Sequence, residues 1–170
     1  MTLCHDSFDS PIGPITVVSD GDVLHHLVLA QSRQAVAGSA TWQRDGQHPL
    51  LQRARRQLLD YLHGHTTGFD LPLATLGTAF QLRVWAGLQD IDYGQTWSYA
   101  QLAAHIGHPG ASRAVGAANA RNPLPLLRPC HRVIGSSGAL TGYSGGLAIK
   151  QALLQLETGA TPLLPAALTP

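Results

Sequence analysis

The 170-residue sequence predicts an α/β amino-terminal domain followed by a mainly helical domain containing a helix–turn–helix. Three observations carry this. Near the start, two β-rich runs flank an Asp/Gly turn and lead into a helix with apolar spacing. A Gly/Thr/Pro-rich stretch at 64–78 then reads as a linker. Beyond it, apolar residues recur at helical intervals in segments punctuated by Gly and Pro. The expected division is 1–75, 76–159 and a flexible tail at 160–170.

Taken in order, residues 12–18 (IGPITVV) and 23–29 (VLHHLVL) read as strands joined through Ser19-Asp20-Gly21-Asp22, which suits a hairpin turn. Residues 30–47 give no decisive pattern. Pro49 fits the first turn of a helix, where its missing N–H would be unpaired anyway. Leu51, Ala54, Leu58, Leu59 and Leu62 follow at helical spacing and Gly64 stops the run. Thr78 caps a helix carrying Phe80, Val84, Trp85 and Leu88. Ser98 and Gln101 have capping-box spacing ahead of Leu102, Ala103 and Ile106, and Gly107 ends that helix. Pro109 is expected to open the next helix, GASRAVGAANAR, in which seven of twelve residues are Ala or Gly. So little side-chain bulk lets the backbone approach a neighbouring helix or some other surface closely. Arg113 and Arg121 lie roughly 80° apart around such an axis and could address one phosphate-rich surface. Asn122-Pro123 closes the helix. Residues 135–146, with five glycines, read as a mobile or tightly turned loop, and 147–157 as a last helix.

Charge is nearly balanced overall, but the halves differ. Residues 1–75 hold five Arg and seven Asp, a net of −2; residues 76–170 hold five Arg, one Lys, two Asp and one Glu, a net of +3. This mild bias suits a polyanion without the bulk basicity that would bind one by charge alone. Two cysteines exclude a disulfide framework. The start lacks the basic and apolar segments of a signal peptide, and no apolar run approaches a membrane span, so a cytoplasmic protein with no membrane partner is expected.

The segment Pro129-Cys130-His131-Arg132-Val133 concentrates the chemistry. A free cysteine has a pKa of about 8.5, so its use as a nucleophile requires a nearby cation or base. His131 is adjacent, the segment is positively biased, and Glu157, the only glutamate, could orient His131 if the last helix folds back. Residues alone leave three readings: a group-accepting thiol, a cysteine hydrolase using Cys130, His131 and Glu157, and a non-catalytic DNA-binding protein.

The stretches GTAFQLRVW (77–85), YGQTWSYAQLA (93–103), SRAVGAANARNPLPLL (112–127), PCHRVIG (129–135) and LTGYSGGLAIKQALLQLE (140–157), in that order over about 80 contiguous residues, resemble the O6-alkylguanine-DNA alkyltransferases. The PIG and FDLPL stretches resemble that family's amino-terminal domain more loosely. The resemblance implies a ribonuclease H-like first domain and a DNA-binding second one. It implies direct-reversal repair, in which the alkyl group of a flipped-out O6-alkylguanine, or O4-alkylthymine, moves irreversibly to the protein, once per molecule. By the same resemblance Cys130 is the acceptor, His131 the base through a water, and Glu157 its orienting group. Asn122 braces the turn before the active-site segment, and Tyr99 contacts the base and crowds its phosphate. Arg113 fills the gap left by the flipped nucleotide. Tyr143 and Ser144 close over the alkylguanine, with the Ser144 N–H on O6, while the Cys130 and Val133 carbonyls accept from the guanine amino group. Lys150 matches the helix lysine beside the site. The implied partner is double-stranded DNA containing O6-alkylguanine, bound through the minor groove by a monomer, with cooperative binding left open. No cofactor is implied. Some relatives hold a structural zinc, but Cys4, His25 and His26 supply only fragments of such a site, so no metal is expected.

The chain departs from the family at Asp92, where proline is usual, at Leu82, often polar, and at Arg128, where a small or β-branched apolar residue is usual. Arg121 and Arg128 are expected to strengthen DNA attachment, and Arg128 could also favour the thiolate.

Overall fold

The computed structural model describes residues 1–32 and 36–159. Strands β1 (Cys4–Phe8), β2 (Ile15–Ser19), β3 (Leu24–Leu29) and β4 (Gln43–Arg44) form one sheet in the order β3-β2-β1-β4. β2 lies antiparallel to both neighbours, and β4 runs parallel to β1. The hairpin expected at 19–22 is present: Asp20 Oδ1 accepts from the N–H groups of Asp22 and Val23. The strand expected at 12–18 starts instead at Ile15, because Gly13 turns the chain at φ 93° and Ser10 bonds its carbonyl. β1 carries no β-branched residue to mark it in the sequence; beside its backbone ladder it is held to β2 by Ser7 Oγ on Thr16 Oγ1 at 2.7 Å and by the burial of Phe8.

Helix α1 (Pro49–Leu62) begins with Pro49 behind the cap His48, whose Nδ1 accepts from Leu50 N–H. It buries Leu51, Ala54, Leu58, Tyr61 and Leu62. The 64–78 stretch is strapped down rather than loose. Leu24 N–H donates to the Pro72 carbonyl, Ala74 N–H donates to that of Leu24, and Arg53 holds Asp70.

Capping boxes of Thr78 with Gln81 and of Ser98 with Gln101 start α2 (Ala79–Leu88) and α3 (Tyr99–His105). Helix α4 (Ser112–Ala120) starts later than Pro109, since Gly107 and Gly110, both at positive φ, spend 107–111 on the turn between the two helices. A two-stranded parallel pair, β5 (Trp97–Ser98) with β6 (Val133–Ile134), ties the start of α3 to the active-site segment.

Two apolar cores result. One holds Val84, Trp85, Leu88, Leu102 and Val115 of the helical region, with Cys130 at its edge. The other joins the sheet and α1 to Leu124, Leu126 and Leu127 and to Ile149, Leu153 and Leu156 of helix α5 (Leu147–Glu157). The last helix thus folds back onto the first domain, and its end reaches the active-site segment. The expected tail at 160–170 lies outside the described residues.

Candidate active site

Cys130 opens a 3-10 turn, Cys130–Arg132, that follows the segment 122–128. That segment is set by Asn122, whose Nδ2 donates to the Arg128 carbonyl at 2.9 Å while its Oδ1 accepts from Leu124 N–H at 3.1 Å. Leu126 sits at φ 71°, a left-handed conformation costly for a branched side chain, and is held there by full burial. The bracing role expected of Asn122 has this geometry behind it. Asn119 adds a longer bond, 3.4 Å, to the Cys130 carbonyl.

Cys130 is only 3% exposed, yet it is not sealed in: it lines a cavity of about 530 Å³ with Asn119, Ala120, Tyr143, Ser144 and Leu147. Burial raises the thiol pKa to about 11; the Asn122 amide and the Lys150 charge pull the other way and do not compensate. The resting group is therefore a neutral thiol. The expectation that positive surroundings favour the thiolate is overturned, because desolvation outweighs them.

His131 is wholly buried. Its Nε2 donates to Glu157 Oε2 at 2.8 Å, which leaves Nδ1 as the ring's acceptor; that atom is buried without a hydrogen-bond partner among the described residues. Burial lowers the imidazole pKa, against the opposing pull of Glu157, so the resting ring is neutral. Glu157 also accepts from Arg132 Nε at 2.6 Å, and Arg132 Nη1 donates to the Ile91 carbonyl. Burial pushes the Glu157 carboxyl up, but His131 and Arg132 together bring it down to about 2. Tyr61 Oη completes the cluster, donating to Glu157 Oε2 at 3.0 Å. Tyr61 and Arg132 carried no assigned role in the sequence reading. The available signal for Tyr61 was a tyrosine at a helix position that falls on the buried face, where a hydroxyl requires a partner.

Lys150 is buried, its amine donating to the carbonyls of Val133 at 2.6 Å and Thr141 at 2.7 Å. Burial lowers its pKa to about 8. It fastens the Gly-rich loop to the active-site strand, and it occupies one lone pair of the Val133 carbonyl expected to meet guanine. Tyr99 Oη bonds Thr141 Oγ1 at 3.0 Å, which ties the start of α3 to the Gly-rich loop. Tyr143 reaches both cores, and Gly145 lets the loop approach β3, where a Cβ would stand 2.7 Å from Leu29 Cδ1. Ser144 borders the Cys130 cavity and an adjoining groove lined by Arg121 and Pro125. Arg113 and Arg121 are both exposed. Arg128 is only 6% exposed, donates to the Ala74 carbonyl at 2.5 Å and lies over the Trp85 ring at 5.0 Å. The expected phosphate contact by Arg128 is therefore corrected to a structural brace between 74 and the helical core.

Residues 3–75 match the family described as 6-O-methylguanine DNA methyltransferase, ribonuclease-like domain, and residues 79–159 match its DNA binding domain. A methylated-DNA–protein-cysteine methyltransferase of Mycobacterium tuberculosis is 48% identical over 157 residues, 92% of this chain and 93% of that protein. The protein of the same name from Methanosarcina acetivorans is 45% identical over 150 residues, covering 88% and 95%. The crystal structure of Mycobacterium tuberculosis OGT in complex with DNA is similar with a TM-score of 0.87 at 43% identity, over 99% of both chains.

Proposed function

This chain belongs to the 6-O-methylguanine DNA methyltransferase family, and we propose that it repairs DNA by moving the alkyl group of O6-alkylguanine onto Cys130 Sγ. One observation carries the assignment of the acceptor. The buried thiol faces a cavity, and the neighbouring histidine is neutral, carboxylate-backed and has its Nδ1 open.

The base stack of a duplex hides the alkyl carbon, so the nucleotide has to rotate out; this costs a few kcal/mol, less for a mispaired guanine. Helix α4 leads into the minor groove, which is about 6 Å wide; Ala114, Ala117 and Ala120 add almost no bulk to its outer side. Arg113 fills the space that the base leaves, and Arg121 holds phosphate. Tyr99 crowds the phosphate and donates to the guanine as charge develops on it. The Ser144 N–H meets O6, and the Cys130 carbonyl and the remaining lone pair on Val133 accept from the amino group.

With a thiol pKa of about 11, only about one molecule in 10⁴ is thiolate at neutral pH. His131 Nδ1 therefore takes the Cys130 proton through a water, and Glu157 stabilises the imidazolium. The sulfur forms a bond to the alkyl carbon as the C–O6 bond breaks. Guanine keeps the electron pair and regains a proton on its ring. The product is a thioether, which water does not readily cleave, so each molecule acts once, as a monomer on double-stranded DNA. O4-alkylthymine presents the same alkyl–oxygen bond and reacts likewise.

The test is the mass of the Cys130 peptide after incubation with duplex DNA carrying O6-methylguanine. One added methyl per molecule is expected, with none in Cys130→Ser, whose duplex binding persists. Many equivalents of repaired guanine per polypeptide would overturn the reading and favour a hydrolase.

A further inference from the structure

The amino-terminal domain reaches into the active site through Tyr61 of α1. The side chain is fully buried, its hydroxyl donates to Glu157 Oε2 at 3.0 Å, and its oxygen lies 3.4 Å from His131 Nε2. We propose that Tyr61 is a positioning residue of the transfer reaction, which pins the Glu157 carboxylate and thereby holds His131 as the Nε2–H tautomer that can take the Cys130 proton. This deepens the reading above and rests on it.

Hydrogen-bond accounting around the carboxylate carries the inference. Glu157 Oε1 accepts from Arg132 Nε at 2.6 Å and from Gly94 N–H at 3.5 Å, and Oε2 accepts from His131 Nε2, from Tyr61 Oη and, at 3.2 Å, from the same Arg132 Nε. The phenol spends its single hydrogen on Glu157, so it presents only lone pairs to Nε2. Nε2 thus faces two oxygens, both acceptors, and its proton cannot be exchanged for a lone pair without leaving one of them unpaired. Nδ1 is left as the acceptor. Without the hydroxyl, Oε2 keeps only His131 Nε2 and the longer bond from Arg132 Nε, and the terminal torsion of Glu157, which is broad by nature, loses a restraint.

The tyrosine itself is fixed from both sides. Its ring meets Phe69 at 5.1 Å and the edge of Tyr93 at 6.1 Å. Burial, together with the Glu157 charge, drives its own ionisation well above the usual range, so it serves as a donor at every working pH and not as a base. The charged and titratable groups around His131 are Glu157 and Lys150 from α5, Tyr61 from α1, and Cys130 and Arg132 of its own segment. Among them the neutral Tyr61 tunes how strongly Glu157 attracts the imidazole proton. A hydroxyl sharing Oε2 weakens that pull and keeps the resting ring uncharged.

Tyr61→Phe keeps the ring and removes the hydroxyl. Alkyl transfer from duplex DNA containing O6-methylguanine, followed by the mass of the Cys130 peptide, should slow about tenfold. Duplex affinity should not change, and the acid limb of the pH–rate profile should move to higher pH because the unshared carboxylate raises His131. Nitrogen NMR should show the wild-type ring protonated on Nε2 and a mixture of tautomers in the variant. A variant with the wild-type rate, pH profile and tautomer, differing only in Tm, would make the hydroxyl merely structural and overturn the proposal. A wild-type ring protonated on Nδ1 would do so with no variant needed. Failure of the wild-type protein to gain an alkyl group would instead sink the reading beneath it, and the tautomer measurement would still decide the role of Tyr61 at the ring.

Discussion

Replacing Glu157 by Gln removes one charge from the relay while keeping its shape. Arg132 stays where it is, 8% exposed, with Nη1 on the Ile91 carbonyl and its guanidinium 5.7 Å from the Tyr93 ring centre. A buried cation that loses its counter-ion costs about 3–5 kcal/mol. At roughly 2–4 °C per kcal/mol for a chain of this size, Tm should fall by about 6–20 °C. The rate should suffer separately. The imidazolium formed when His131 takes the thiol proton would have no anion on Nε2, and the new amide could turn its N–H groups toward that nitrogen and favour the wrong tautomer. Loss of a carboxylate behind a catalytic histidine lowers rates by up to about 10⁴; here a loss of about 10³ is expected. The assay is quenched single-turnover transfer, followed by mass and corrected for the folded fraction, at a temperature where both proteins are folded. A Glu157→Gln variant reacting within about threefold of wild type would refute the relay.

Acid should unfold the protein partly through the same group. The Glu157 carboxyl lies near 2 when folded against an ordinary 4.5, so its contribution, roughly 3 kcal/mol at most, is present above about pH 4.5 and is lost as pH falls from there toward 2; urea titrations across that window should show the loss in wild type and not in Glu157→Gln. Arg121→Ala should lower the slope of log affinity against log salt for duplex DNA by about one phosphate contact. Arg128→Ala should leave that slope alone and cost about 2–4 kcal/mol of stability, through its lost bond to Ala74 and its lost stacking on Trp85. Ala117→Leu, on the outer side of α4, should change stability by no more than about 0.5 kcal/mol but weaken duplex binding about tenfold or more if that helix lies in the minor groove; unchanged affinity in a fluorescence titration would remove α4 from the interface.

Local signals made much of this protein legible before any coordinates. Thr78 with Gln81 and Ser98 with Gln101 announce their helices, because a capping box is a bond between near neighbours. The turn at Asp20-Gly21 and the stop at Gly64 are likewise written in adjacent residues. Less was legible where the deciding partner is remote. Arg128 reads as a surface cation until Ala74 and Trp85 are seen around it, and the 64–78 linker reads as loose until its backbone is found bonded to β3.

The order of motifs from 77 to 157 by itself determined the chemistry on offer: one thiol, one imidazole, one carboxylate and a helix stripped of bulk. Their electrostatic state was a matter for the tertiary structure. Tyr61 lies 96 residues before the carboxylate it binds, and 70 before the histidine. Only the return of α5 onto the first domain brings the three together. Burial then reverses the sequence-level expectation, leaving a protonated thiol beside a neutral base, because removing water costs an unpaired charge more than a mildly positive segment gives back.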